Sequence, residues 1–226
     1  MKQVASFVDR VLPWLTCGLM LVALVFVFLY VPNERFQGPA QRIFYFHLPA
    51  AWNSFLGFFI VAGASAAFLW QGDRFSDLLA QAAAEVGMLF CTLVIITGSI
   101  WARPIWGVWW TWDPRLTMVA ILWMIYAAYI LLRLLAGDNE LIARYAAVLG
   151  VVGVLDIPLL YIAVKLWRGM HPKLERGGLP PEMILTLLVC TGAFLCLFVW
   201  LLWLRLRNLT LRDEVAALRR QVLAMS

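Results

Sequence analysis

The chain has 226 residues, 64% of them apolar and 14% charged, with twelve Trp and a formal net charge of +5. A mean hydropathy of +0.85 is too high for a water-soluble domain of this length. The positive charge is scattered over connections and forms no basic stripe that could follow a phosphate backbone, which argues against a nucleic-acid partner.

Six apolar stretches, at 11–31, 48–70, 82–101, 116–135, 146–167 and 183–204, are each about 20 residues long and so able to cross a bilayer. Backbone groups in lipid must pair within their own segment, and these runs are too long and too evenly apolar for barrel strands. The expected fold is therefore all-α: one integral membrane bundle of six transmembrane helices over residues 1–226, with no inserted soluble domain. The first span is followed by Val31-Pro-Asn-Glu-Arg-Phe36 instead of a small-residue cleavage site, so it is read as a retained helix.

The connection into span two contains Arg42-Ile-Phe-Tyr-Phe-His47, with Pro49 just after it. Cys17, Cys91, Cys190 and Cys196 all lie inside spans, and no Cys-x-x-Cys or Cys-x-x-Cys-His occurs. Buried thiols are expected, not a disulfide exchanger or a c-type cytochrome.

Between spans three and four lies the most unusual segment, 101–115, which holds Trp101, Trp106, Trp109, Trp110 and Trp112 together with Arg103, Pro104, Asp113, Pro114 and Arg115. An ordinary aromatic belt is spread over many helix ends. Five indoles in one connection instead form a platform for a flat, mostly apolar ligand. Trp106, Trp109 and Trp110 have i, i+3, i+4 spacing, which predicts a short interfacial helix with the three on one side. Asp113 is placed to orient Arg115, to cap the next helix, or both.

Span five ends in Trp167-Arg168-Gly-Met-His171-Pro172, and Pro180-Pro181-Glu182 opens span six, as Pro early in a helix should. The tail, 205–226, is expected to be a surface helix with a short heptad-like stripe of Leu211, Val215, Leu218, Val222 and Met225. No phosphate-binding loop occurs, so an ATP-driven step would belong to another subunit.

An even number of spans puts both termini on one side and His47, the Trp-rich segment and His171 together on the other. The positive-inside rule makes the terminus side cytoplasmic, but only because Arg205, Arg207, Arg212, Arg219 and Arg220 follow the last span. The excess of base remaining on the opposite face is consistent with an anionic ligand there.

His47 and His171 are the only histidines in the chain. Two imidazoles on one face, beside an aromatic platform and several arginines, supply the parts of a heme site. Imidazole binds iron axially, indole stacks on porphyrin, and guanidinium pairs propionates. Arg42, Arg103, Arg115 and Arg168 are the propionate candidates, each with headgroup snorkelling as the alternative. A zinc site would want three or four close ligands, and no acidic or thiol cluster accompanies the two His. Two further readings stay open: a b-type heme subunit in electron transfer, and a transporter using the Trp segment as a cage for another flat or cationic substrate.

Trp106-Gly-Val-Trp109-Trp110-Thr-Trp112-Asp113 resembles the tryptophan-rich signature of the heme-handling proteins of cytochrome c assembly. Arg42 to His47, Gly98-Ser-Ile-Trp101, Arg115-Leu-Thr117, the six-span plan and a His after span five narrow the resemblance to the heme exporter protein C family of the cytochrome c maturation system. The resemblance implies residence in the bacterial inner membrane with the Trp segment on the periplasmic side. It also implies heme b held between His47 and His171 against Trp106, Trp109, Trp110, Trp112 and Asp113. Implied partners are a membrane-anchored heme chaperone (the E protein), an ATP-binding cassette pair (the A and B proteins) and a small D protein. Any lyase-like contribution would come from positioning, since no side chain stands out as acid, base or nucleophile. The sequence departs from the family at Asp156-Ile-Pro158, where Asn is common, and at Lys165-Leu-Trp167, which keeps one of two common Trp. An acidic group near mid-membrane is costly and is expected to be neutralised or paired.

Overall fold

The computed structural model describes residues 2–136, 139–167 and 179–225. His171 and Arg168 lie outside the described residues. Among the described residues there are seven α-helices: α1 (Lys2–Val25), α2 (Phe44–Gln71), α3 (Arg74–Trp106), α4 (Pro114–Ala136), α5 (Glu140–Gly153), α6 (Asp156–Leu166) and α7 (Pro181–Met225). A π-helical turn at Phe26–Tyr30 extends α1, and a 3-10 turn at Pro39–Ile43 leads into α2. Among the described residues six segments are long and apolar enough to cross a membrane; the fifth, Glu140–Ala163, is made of α5 and α6 together.

The helices run past the apolar stretches because polar residues at their ends satisfy orphan backbone groups. Gly72, left-handed at φ 69°, ends α2, and its N–H donates to the Phe68 carbonyl at 2.8 Å. Asp73 then caps α3 by accepting from the Ser76 N–H at 2.8 Å. Asn139 caps α5 by accepting from the Leu141 N–H at 3.0 Å. The break between α5 and α6 falls three residues before Pro158, which has no N–H to give. There the Leu155 and Ile157 N–H groups reach back three residues, to Val152 and Val154, at 3.1 Å each. Asp156 begins α6 at this break, buried, and its Oδ2 has no hydrogen-bond partner among the described residues.

The central hairpin is α2 against α3, the most extensive helix pair of the fold. Their backbones meet at Gly57 and Gly87: a Cβ on Gly57 would stand 2.8 Å from the Gly87 Cα. Small residues at such crossings let helices pack closely where lipid supplies no hydrophobic drive between them. Beside this crossing the rings of Phe58 and Tyr126 stack at 3.7 Å. The Tyr126 hydroxyl donates to the Gly150 carbonyl at 3.2 Å, joining α4 to α5.

At the end of the bundle that holds the termini, ion pairs tie the helices laterally. Asp77 on α3 binds Arg74 at 2.7 Å and Arg133 of α4 at 2.8 Å, and Arg74 also reaches Asp213 of α7 at 2.7 Å. Arg205 pairs with Glu85, while Asp9 of α1 receives both Arg207 and the Trp203 indole N–H. All four cysteines are free thiols, Cys91 and Cys190 buried among them.

Candidate functional site

The opposite end of the bundle contains a cavity of about 920 Å³, at the top of the range usual for small-molecule and cofactor sites. It lies between the 32–37 connection, the first turns of α2, the last turns of α3, the start of α4, α6 and the segment that leads into α7. Residues 32–37 of the first connection, Trp110 of the third, and Leu179 and Pro180 before α7 therefore share one concave cavity.

Local backbone chemistry shapes the roof. The Glu34 carboxylate accepts from the Phe36 and Gln37 N–H groups at 2.8 and 2.6 Å, and the Gly38 N–H donates to the Glu34 carbonyl at 2.9 Å. This compact turn needs Gly38 at φ 56°, a conformation costly for residues with a Cβ. Gln37 is thereby placed to accept from the Trp101 indole N–H at 3.0 Å, which joins the roof to α3.

His47 lies in the first turn of α2, half-buried in the cavity wall. Its Nδ1 is 3.0 Å from the Thr97 hydroxyl, and its ring lies edge-on to Trp101 with centroids 5.7 Å apart. Trp101, Trp106, Trp110 and Arg115 also line the cavity, whereas Trp109 and Trp112 are 59% and 78% exposed and do not. Gly107, left-handed at φ 77°, ends α3, so the turn expected through Trp106, Trp109 and Trp110 gives way to irregular backbone over 107–113. Trp110 meets Trp112 edge-on at 5.8 Å. Asp113 caps α4, accepting from the Leu116 N–H at 3.0 Å.

The expected propionate partners separate. Arg115 lines the cavity, with Tyr161 and Asp113 as electrostatic neighbours. Arg42 turns its guanidinium over the Phe28 ring at 5.9 Å, and Arg103 is exposed outside the lining. Sequence reasoning had not singled out Arg35, Gln37, Gln41 or Tyr161, all of which line the cavity. Arg35 shares a connection with Arg42, so proximity could have flagged it. Nothing local marks Gln41 or Tyr161.

The residues present suit a flat, largely apolar ligand that carries anionic groups and an atom that accepts an imidazole lone pair. The walls are mostly apolar and aromatic, with Arg35 and Arg115 among them. Two buried donors nearby, the Arg42 Nε–H and the Trp110 indole N–H, have no hydrogen-bond partner among the described residues. Buried donors of this kind ordinarily find a partner.

Fold and site together define a multi-pass membrane protein with an aromatic ligand cavity at one end of its bundle. The family model for heme exporter protein C matches residues 1–221. The heme exporter protein C of Bradyrhizobium diazoefficiens is 35% identical over 217 residues, covering 93% of this chain and 82% of the relative. Those of Haemophilus influenzae and Escherichia coli K12 are each 32% identical, covering 89% and 90% of this chain and 84% and 85% of theirs. The chain belongs to the heme exporter protein C family and has a role in heme handling for cytochrome c maturation.

Proposed function

We propose that the cavity holds heme b at the periplasmic face of a bacterial inner membrane and presents it to a membrane-anchored heme chaperone. The observation that carries this reading is the convergence of His47, Trp101, Trp106, Trp110 and Arg115 on one cavity of about 920 Å³. In this reading His47 would bind the iron from α2, and His171, outside the described residues, would be the second ligand. Trp101, Trp106 and Trp110 face the macrocycle, and Arg115, with Arg35 nearby, neutralises the propionates. Bound heme supplies a vinyl group that an acceptor nucleophile can attack. The protein contributes placement and exclusion of water. Trp109 and Trp112, outside the cavity, are suited to meet the chaperone, and the A, B and D proteins of the same system complete the assembly.

The absorption spectrum of protein purified from heme-replete cells tests this reading, taken for wild type, His47→Ala and His171→Ala. A low-spin bis-imidazole spectrum in wild type, lost or converted to high spin in each variant, is the expected result. A heme-free wild type, or a spectrum indifferent to both changes, overturns it.

A further inference from the structure

Next to His47, the surface of α3 presents Thr97, Gly98 and, one turn on from Thr97, Trp101. We propose that Thr97 is a positioning residue that fixes the tautomer and direction of the His47 ring, so that Nε2 is the nitrogen presented to the ligand. This rests on the reading that the cavity takes a metalloporphyrin through His47.

The hydrogen-bond chain sets the direction. A threonine hydroxyl has one proton and two lone pairs. Thr97 lies 2.6 Å from the Leu93 carbonyl, which can only accept, so the hydroxyl proton goes there. Its oxygen then accepts from the His47 ring at 3.0 Å, and the shared hydrogen belongs to Nδ1. Turning the hydroxyl toward Nδ1 would give up the shorter bond for the longer one. A neutral imidazole protonated at Nδ1 carries its lone pair on Nε2.

Gly98 gives the ring its seat. A Cβ on that residue would stand 3.1 Å from the His47 Cε1 and 3.6 Å from Nδ1, so the imidazole lies against bare backbone. A Cβ there would make the ring give way by a few tenths of an ångström, away from its place beside the Thr97 oxygen. Trp101 packs against the same ring, centroids 5.7 Å apart at an interplanar angle of 64°. Metal-binding histidines characteristically donate their second ring N–H to such an acceptor, which fixes the ring and raises its basicity. Here the acceptor is a hydroxyl held by its own helix.

The chain has two histidines, so protein made with isotope-labelled histidine gives two ring spin systems, and His47→Ala identifies which is which. The tautomer is read by nitrogen NMR on heme-free protein in lipid at mildly alkaline pH, for wild type, Thr97→Val, Thr97→Ser and Gly98→Ala. Heme affinity is read by absorption titration on the same set. Wild type and Thr97→Ser are expected to hold the Nδ1–H form, and Thr97→Val to lose it. Affinity should fall about 10- to 100-fold in Thr97→Val, recover in Thr97→Ser, and fall in Gly98→Ala although its threonine is intact. A wild-type ring protonated at Nε2 overturns the proposal even if no variant folds, as does a Thr97→Val protein with wild-type tautomer and affinity. If His47→Ala leaves heme binding unchanged, the iron-ligand reading falls instead, and the heme-free tautomer still decides whether Thr97 directs the ring.

Discussion

Within the Trp-rich segment the indoles divide by direction. Trp110 contributes to the cavity wall and has a buried N–H with no partner among the described residues, while Trp109, its neighbour, is mostly exposed. Aromatic stacking is worth roughly 0.5–1.5 kcal/mol beyond area burial. Trp110→Ala should therefore weaken heme binding by at least about that amount in an absorption titration, since the buried ring area is lost as well. Trp109→Ala should leave it unchanged; equal losses in both would mean that the two rings do not divide as the structure has them. His47, Trp106, Trp110 and Arg115, singled out by residue type and spacing, do line the cavity. Which indoles turn inward could not be read that way, because Gly107 ends the helix on which that spacing argument depended.

At the scale of elements, the terminus-side ion pairs act as a clamp across α3, α4 and α7. Asp77 is 3% exposed and serves two arginines, one of them, Arg133, also nearly buried. Removing one partner of a buried pair leaves uncompensated charge and costs about 3–5 kcal/mol. Asp77→Ala should accordingly lower the thermal unfolding temperature in detergent by far more than Arg144→Ala, which breaks an exposed pair with Glu140. Similar melting of the two variants would show that the clamp adds little. The number of spans was legible in the sequence, since their apolar length is set by the bilayer. The clamp was not: Asp77, Arg133 and Asp213 lie in three helices far apart along the chain, and lateral pairing leaves no local pattern.

The whole molecule is polarised, with a ligand cavity at one end and ion-paired helix ends at the other. Helix α7 runs 45 residues without interruption, roughly 65–70 Å at the α-helical rise, about twice a ~30 Å hydrocarbon core. Its far end carries Leu211, Val215, Leu218 and Val222, all exposed. Under the proposed orientation this end stands in the cytoplasm and the cavity opens to the periplasm. In a cysteine-free background, a single Cys at Phe36 should react with a membrane-impermeant thiol reagent added to intact spheroplasts. One at Val215 should react only after lysis. The reverse pattern would invert the topology and remove the periplasmic presentation of heme.

Apolar length was enough to determine an all-helical bundle of six spans, parity of crossings to set the expectation that the odd-numbered connections share a face, and the resemblance carried by the Trp-rich motif to point to the family. Each follows from a local or periodic property: apolar length, parity of crossings, a contiguous Trp-rich motif. Only tertiary structure decided that Arg42 faces Phe28 while Arg115 lines the cavity, and that Arg35, Gln41 and Tyr161 join it. It alone placed Thr97 and Gly98 under His47, fifty residues away along the chain. Such contacts depend on the rotation of each helix about its own axis. That rotation is set by close approaches such as Gly57 on Gly87, and within a uniformly apolar span no sequence periodicity reports it.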